Sequence, residues 1–120
     1  MLQFFLSLLA SFHFEAGTAY QFSAQNDPQN PDPNAACLRR PMNDAKDRIV
    51  AHRWLPCRSK VLIINRDNGR HGVYTVGDRG PYGKTKRGKF RGIVDLAPLV
   101  DKDLKAKGTA NVYVVAFLPK

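Results

Sequence analysis

Apolar residues along the chain gather in short runs at strand spacing, separated by polar, Gly- and Pro-rich stretches. Residues 60–65 (KVLIIN) are β-branched and apolar, and 72–78 (GVYTVGD) are a matching run, so the pair predicts two adjacent strands. Between them RDNGRH carries Asn68-Gly69, a hairpin signal because both central residues of a type I′ turn need positive φ. GIVDLA (92–97) and NVYVVAF (111–117) are two further strand candidates. In DLAPLVDKDLKAKG, Pro98 suits a first helical turn, Leu96, Leu99, Val100 and Leu104 share one face, and Gly108 suits the position after the helix end. One short helix among at least four short strands joined by loops predicts a mainly β fold, a small barrel or sandwich.

The first residues read differently. MLQFFLSLLASFHF is apolar apart from a narrow polar stripe of Gln3, Ser7 and Ser11, which suits a helix packed on nearly all sides. It is shorter than the roughly 20 apolar residues of a membrane span, so no transmembrane span is expected. Residues 1–24 are therefore expected to form an apolar arm: a signal-like segment, with AGTA (16–19) offering small residues for cleavage, or a surface that docks on other protein chains. Residues 25–36, with Pro28, Pro31 and Pro33 among Asn, Gln and Asp, read as an extended linker. A domain over 37–120 follows.

Charge sharpens that division. Residues 1–38 carry a net −3, whereas 39–120 hold all nineteen Lys and Arg and a net +12. A strongly basic domain seeks an anionic partner: nucleic acid, a membrane surface or an acidic wall polymer. The densest run, KTKRGKFRG (84–92), has Phe90 as its one aromatic. Single-stranded nucleic-acid sites interleave several stacking aromatics with their cations, so nucleic acid is not the expected partner here. Cys37 and Cys57 permit one disulfide or two free thiols.

VYTVGDRGPYG (73–83) raises the chemical question. A strand runs into Asp78 and Arg79 and then turns at Gly80-Pro81 and Gly83. Asp78 and Arg79 either cap the turn or belong to a site, with Gly80 and Gly83 letting a ligand approach the backbone. His52 is either a hydrogen-bonded barrel residue or a site residue. Asp95 either caps the helix starting near Pro98 or belongs to the same site, and Trp54 and Tyr82 either pack in the core or offer an aromatic face to a ligand. No cofactor is expected: no His/Cys cluster has metal-ligand spacing, and no Gly-rich loop precedes a helix in phosphate-binding form.

The motifs Ala51-His52-Arg53, Leu55-Pro56, Asn68-Gly69-Arg70, Asp78-Arg79-Gly80-Pro81-Tyr82 and Val94-Asp95-Leu96 stand in an order and spacing that resemble the rare lipoprotein A family. The resemblance covers about residues 37–117 and implies a six-stranded double-psi β-barrel, located outside the cytoplasm, that acts on or binds glycans. It implies a lytic transglycosylase of peptidoglycan, with Asp78 as general acid/base and His52 supporting it. Arg79, Tyr82, Asp95 and Trp54 would then bind substrate. The family's Gly-Glu pair upstream of the His is absent, and Asp44 and Asp47 are the nearest acids; Asp44 is the catalytic candidate of the two. Expansin-like relatives of the barrel bind polysaccharide without evident cleavage. The other reading is accordingly a non-catalytic wall-binding or structural component of a larger assembly, such as a phage tail, associated with a virion.

Overall fold

The structure, a computed structural model, describes residues 12–23 and 34–118. Six strands close a barrel: β1 (Phe12–Gln21), β4 (Ile49–Ala51), β5 (Lys60–Asn65), β6 (His71–Asp78), β7 (Val94–Leu96) and β8 (Thr109–Phe117). Around the barrel the order is β1-β7-β4-β6-β5-β8, and β8 returns to β1. Two contacts are parallel, β1 with β7 and β4 with β6; the others are antiparallel. A separate two-stranded sheet pairs β2 (Asn34–Ala35) with β3 (Arg40–Pro41). One helix among the described residues, α1 (Pro98–Leu104), precedes β8. None is long and apolar enough to cross a membrane.

Period-2 alternation builds the core. On β8 Ala110, Val112, Val114 and Ala116 are buried, and Val61 and Ile63 of β5 and Val76 of β6 join them. Each fully buried Val or Ile side chain contributes about 1.5–3 kcal/mol over leaving it in water. Val94 and Leu96 of β7 face the same core, with Val100 and Leu104 of the helix against it.

The principal difference from the sequence reading lies at the N-terminal side. Residues 12–21 are not part of an arm: β1 pairs with β8 from Phe12↔Phe117 to Tyr20↔Thr109 and with β7 from Ala19↔Val94 to Gln21↔Leu96. The barrel thus begins before residue 37. Its inward row, His13, Glu15, Gly17 and Ala19, is largely polar or small, while Phe12 and Phe14 lie on the exposed side. This reversal of the usual polarity hides the strand in an apolar context. Of the helix expected over 1–14, residues 12–14 lie in β1 instead and 1–11 lie outside the described residues, as do 25–33 of the expected linker.

Two local expectations also change. Only Gly69 has positive φ in the β5–β6 connection, so Asn68-Gly69 is not a type I′ turn. Instead the Asn68 amide donates to the carbonyl of Leu104 at 3.0 Å, alongside buried Asn65, which donates to the same carbonyl at 2.9 Å. Both amides satisfy an orphan carbonyl at the helix C-terminus, which decides the loop's shape. The helix ends at Lys105, which is left-handed, rather than at Gly108. Gly108 has positive φ and donates its N–H to Asp101, joining the helix to β8.

Cys37 and Cys57 are joined in a disulfide. It fastens the segment after β2 to the loop that leads into β5.

Candidate functional site

Glu15 and His13 alternate inward on β1, so their side chains reach the same end of the barrel. There they meet His52, the residue after β4, which is 2 % exposed. Its main-chain N–H donates to the carbonyl of Asp78, so the ends of β4 and β6 hold the His52 backbone. Arg79 anchors the next turn: its guanidinium donates to the carbonyls of His52 and Leu55 and lies 3.3 Å from the Cys57 sulfur.

The imidazole of His52 is fixed on both sides. Its Nδ1 accepts from the main-chain N–H groups of Trp54 (3.2 Å) and Leu55 (3.1 Å). An acceptor nitrogen carries no proton, so the ring proton is on Nε2. That Nε2–H donates to Glu15 Oε1 at 2.5 Å, and His13 Nε2 bonds the same oxygen at 2.7 Å. Oε2 of Glu15 makes no hydrogen bond among the described residues and is left open. Burial alone raises the Glu15 pKa, but the bonds from His52 and His13 outweigh it and hold the carboxyl below its usual range. Glu15 is therefore a carboxylate at neutral pH.

Trp54 stands over this trio. Its ring meets His13 edge-on at 4.4 Å and His52 at 5.1 Å, yet it is 52 % exposed. It is not a core residue. A half-exposed indole beside an ionised carboxylate can stack a sugar ring and orient its hydroxyls.

His13, Glu15 and His52 also bring three ligand-type atoms within 4.8 Å of one another. Their bonding does not fit a metal. A histidine ligating through Nε2 keeps its proton on Nδ1 and donates it to an acceptor. Here Nδ1 of His52 faces two N–H donors, which leaves no lone pair on Nε2. The trio is built to hold a carboxylate.

The sequence candidates are distributed unevenly around this site. His52 and Trp54 belong to it. Asp78 accepts through Oδ1 from the N–H groups of Ala36 (2.9 Å) and Arg79 (2.8 Å), the turn-capping arrangement, and its Oδ2 has no hydrogen bond among the described residues. The acid that bonds His52 is thus Glu15, not Asp78. Arg79 pairs with carbonyls rather than with an acid. Asp44 accepts from Ser23 Oγ at 2.7 Å, and Asp47 forms a two-pronged pair with Arg40; neither contacts the trio. Asp95 is not the helix cap, because Ala97 occupies that position with no side-chain bond. It sits in β7, opposite Tyr20 and Ala51, with Oδ2 3.5 Å from where a Cβ on Gly80 would lie. Tyr82 is 60 % exposed. Gly83 makes room not for a ligand but for Arg91, whose Nη2 is 3.0 Å from its would-be Cβ.

Glu15 and His13 escaped the sequence reading because they lie in a segment read as an arm, Glu15 being 37 residues from His52. The signal that marks them is His-x-Glu, two polar residues at strand spacing inside an apolar run.

No family model matches the chain. Among curated proteins, it is 35 % identical over 68 residues to the "Endolytic peptidoglycan transglycosylase RlpA" of Helicobacter pylori, in strains J99 and 26695 alike. The match covers 55 % of this chain and 20 % of those relatives, so the chain spans about a fifth of their length. Among solved structures, "Streptomyces papain inhibitor (SPI)" superposes with a TM-score of 0.58 over 89 % of this chain and 96 % of that one. At 18 % identity that likeness concerns the fold alone. The fold is a closed six-stranded double-psi β-barrel, and its matched stretch of sequence is similar to RlpA.

Proposed function

We propose that this barrel acts outside the cytoplasm on the glycan strands of peptidoglycan, as a lytic transglycosylase module. The observation that carries the reading is the ionised Glu15 carboxylate, held by two imidazoles beside half-exposed Trp54, in a chain similar to RlpA. The Cys37–Cys57 disulfide suits an oxidising compartment.

The reaction breaks a glycosidic C–O bond without water. An acid protonates the departing oxygen, a hydroxyl of the same sugar attacks the anomeric carbon, and a base takes that hydroxyl's proton. Glu15, already ionised, suits the base, with Oε2 open to the sugar. Asp78 Oδ2 is the proposed acid. His52 is a positioning residue: it orients the carboxylate and touches no substrate. Trp54 and Tyr82 would stack sugar rings, and Asp95 and Arg79 would flank the groove.

The test is mass spectrometry of purified glycan strands incubated with the protein, with Glu15→Gln and with Asp78→Asn. Anhydro-ended fragments from the native protein and at least about a hundredfold fewer from each variant would support the assignment. Intact strands that co-sediment with all three proteins would show instead a wall-binding module without turnover.

A further inference from the structure

β1 carries two different rows. His13 and Glu15 face the barrel end described above, whereas Phe12 and Phe14, which alternate with them, face outward. The outward side continues across the neighbouring strands. Phe14 is in register with Val115 of β8, Val115 with Leu62 of β5, and Leu62 with Val73 of β6. These four residues make one apolar row across four strands, roughly 14 Å wide at ordinary strand spacing. At its flank Phe12 and Phe117 pair edge-on at 5.6 Å, and the Phe14 ring lies 5.2 Å from that of Tyr113. Val73 is 65 % exposed and Phe117 71 %. Single exposed apolar residues are ordinary, but a patch continuous over several strands marks an interaction surface.

Shape and charge select the partner. The outer side of a closed barrel is convex, and closure leaves β1, β8, β5 and β6 no free edge. A peptide helix needs a groove and an added strand needs an edge, so neither finds a seat here. A second copy would bring together two chains of +9 each, and no outward position of these four strands holds an acid to offset them. Cations stand at the margins instead. Lys60 begins β5 on the outward side, and the Arg66 guanidinium lies 4.5 Å over the Tyr113 ring. Aromatic and aliphatic side chains edged by Lys and Arg fit a bilayer interface, where rings sit among the headgroups and cations meet anionic lipid.

We infer that the outer face of β1, β8, β5 and β6 docks on an anionic phospholipid bilayer. Phe14, Val73 and Phe117 enter the boundary between headgroups and acyl chains, and Lys60 and Arg66 meet the lipid phosphates. The face is distinct from the glycan site and does not depend on it. It is the outer wall of the strand whose inner row holds Glu15, so docking leaves the Glu15–His52 pair inside the barrel. Apolar burial drives the contact and charge adds to it, so salt weakens it only in part.

The test is flotation of the full chain with vesicles of phosphatidylcholine alone and of phosphatidylcholine mixed with phosphatidylglycerol. The native protein should bind the mixed vesicles about tenfold more tightly than the neutral ones. Phe14→Ser/Val73→Ser/Phe117→Ser should lose at least about tenfold of that binding. Lys60→Gln/Arg66→Gln should abolish the preference for mixed vesicles. Phe117→Trp keeps the face aromatic and reads its depth directly, since brominated acyl chains should quench the added emission. Equal flotation of the native protein and the serine variant would overturn the inference, as would added emission that bromine leaves unquenched. So would a native protein that floats with neither vesicle, or one that sediments as a dimer which the serine variant dissociates, because the face would then belong to a second copy.

Discussion

His52 donates from Nε2 to Glu15 Oε1 at 2.5 Å, while its Nδ1 accepts from two consecutive main-chain N–H groups. The backbone turn 52–55 thereby selects the tautomer, and the tautomer selects the carboxylate. Long-range ¹⁵N–¹H correlation at neutral pH should show His52 protonated on Nε2 only. Glu15→Leu leaves that buried N–H without its acceptor and should cost about 1–3 kcal/mol of stability in urea unfolding, whereas Glu15→Gln retains an acceptor and should cost less.

Metal binding follows the same logic with the opposite sign. Zn²⁺ added to the native protein should leave its melting temperature unchanged, since His52 has no lone pair to offer through Nε2. A rise that disappears in Glu15→Gln would show instead that the carboxylate of the trio takes the ion.

Asp78 separates cap from acid. Asn keeps the Oδ1 acceptor that serves Ala36 and Arg79, so Asp78→Asn should change stability by less than about 1 kcal/mol. Asp78→Ala removes that acceptor and should cost about 1–2 kcal/mol. Equal losses in the two variants, read from unfolding curves, would contradict the capping role of Oδ1.

Acid should weaken the loop around Asp47. Hydrogen bonds from Arg40 and from the Asn43 N–H hold its carboxyl down at about 2, against an ordinary 3.8. A folded-state pKa below the unfolded one gives stability above about pH 4, lost as pH falls toward 2. Screening by water reduces the net to about 1 kcal/mol. Native protein and Asp47→Asn should therefore differ by that amount near neutral pH and converge at the acid end.

The disulfide should matter more. Cys37 and Cys57 are 20 residues apart, and a loop of that size is worth about 3 kcal/mol in the chain-entropy description. Cys37→Ser/Cys57→Ser should shift the urea midpoint accordingly. The change should also loosen the 52–57 turn, visible as faster amide exchange at Trp54 and Leu55.

Local pattern alone located β5, β6, β7, the helix at Pro98 and β8, because alternation of Val, Ile and Ala with polar residues requires one buried face. The linked motifs around His52 and Asp78 carried the resemblance to the barrel family. Other elements had no local signature. β4 is three residues long, and its partners, β6 and β7, are distant in sequence. β1 points His13 and Glu15 inward, so its pattern opposes the usual rule. Closure decided these: once β1 pairs with β8 and β7, its polar row must face the barrel end where His52 lies. The carboxylate of the site was chosen by that closure, since residues far apart in the chain meet only when the sheet comes round on itself.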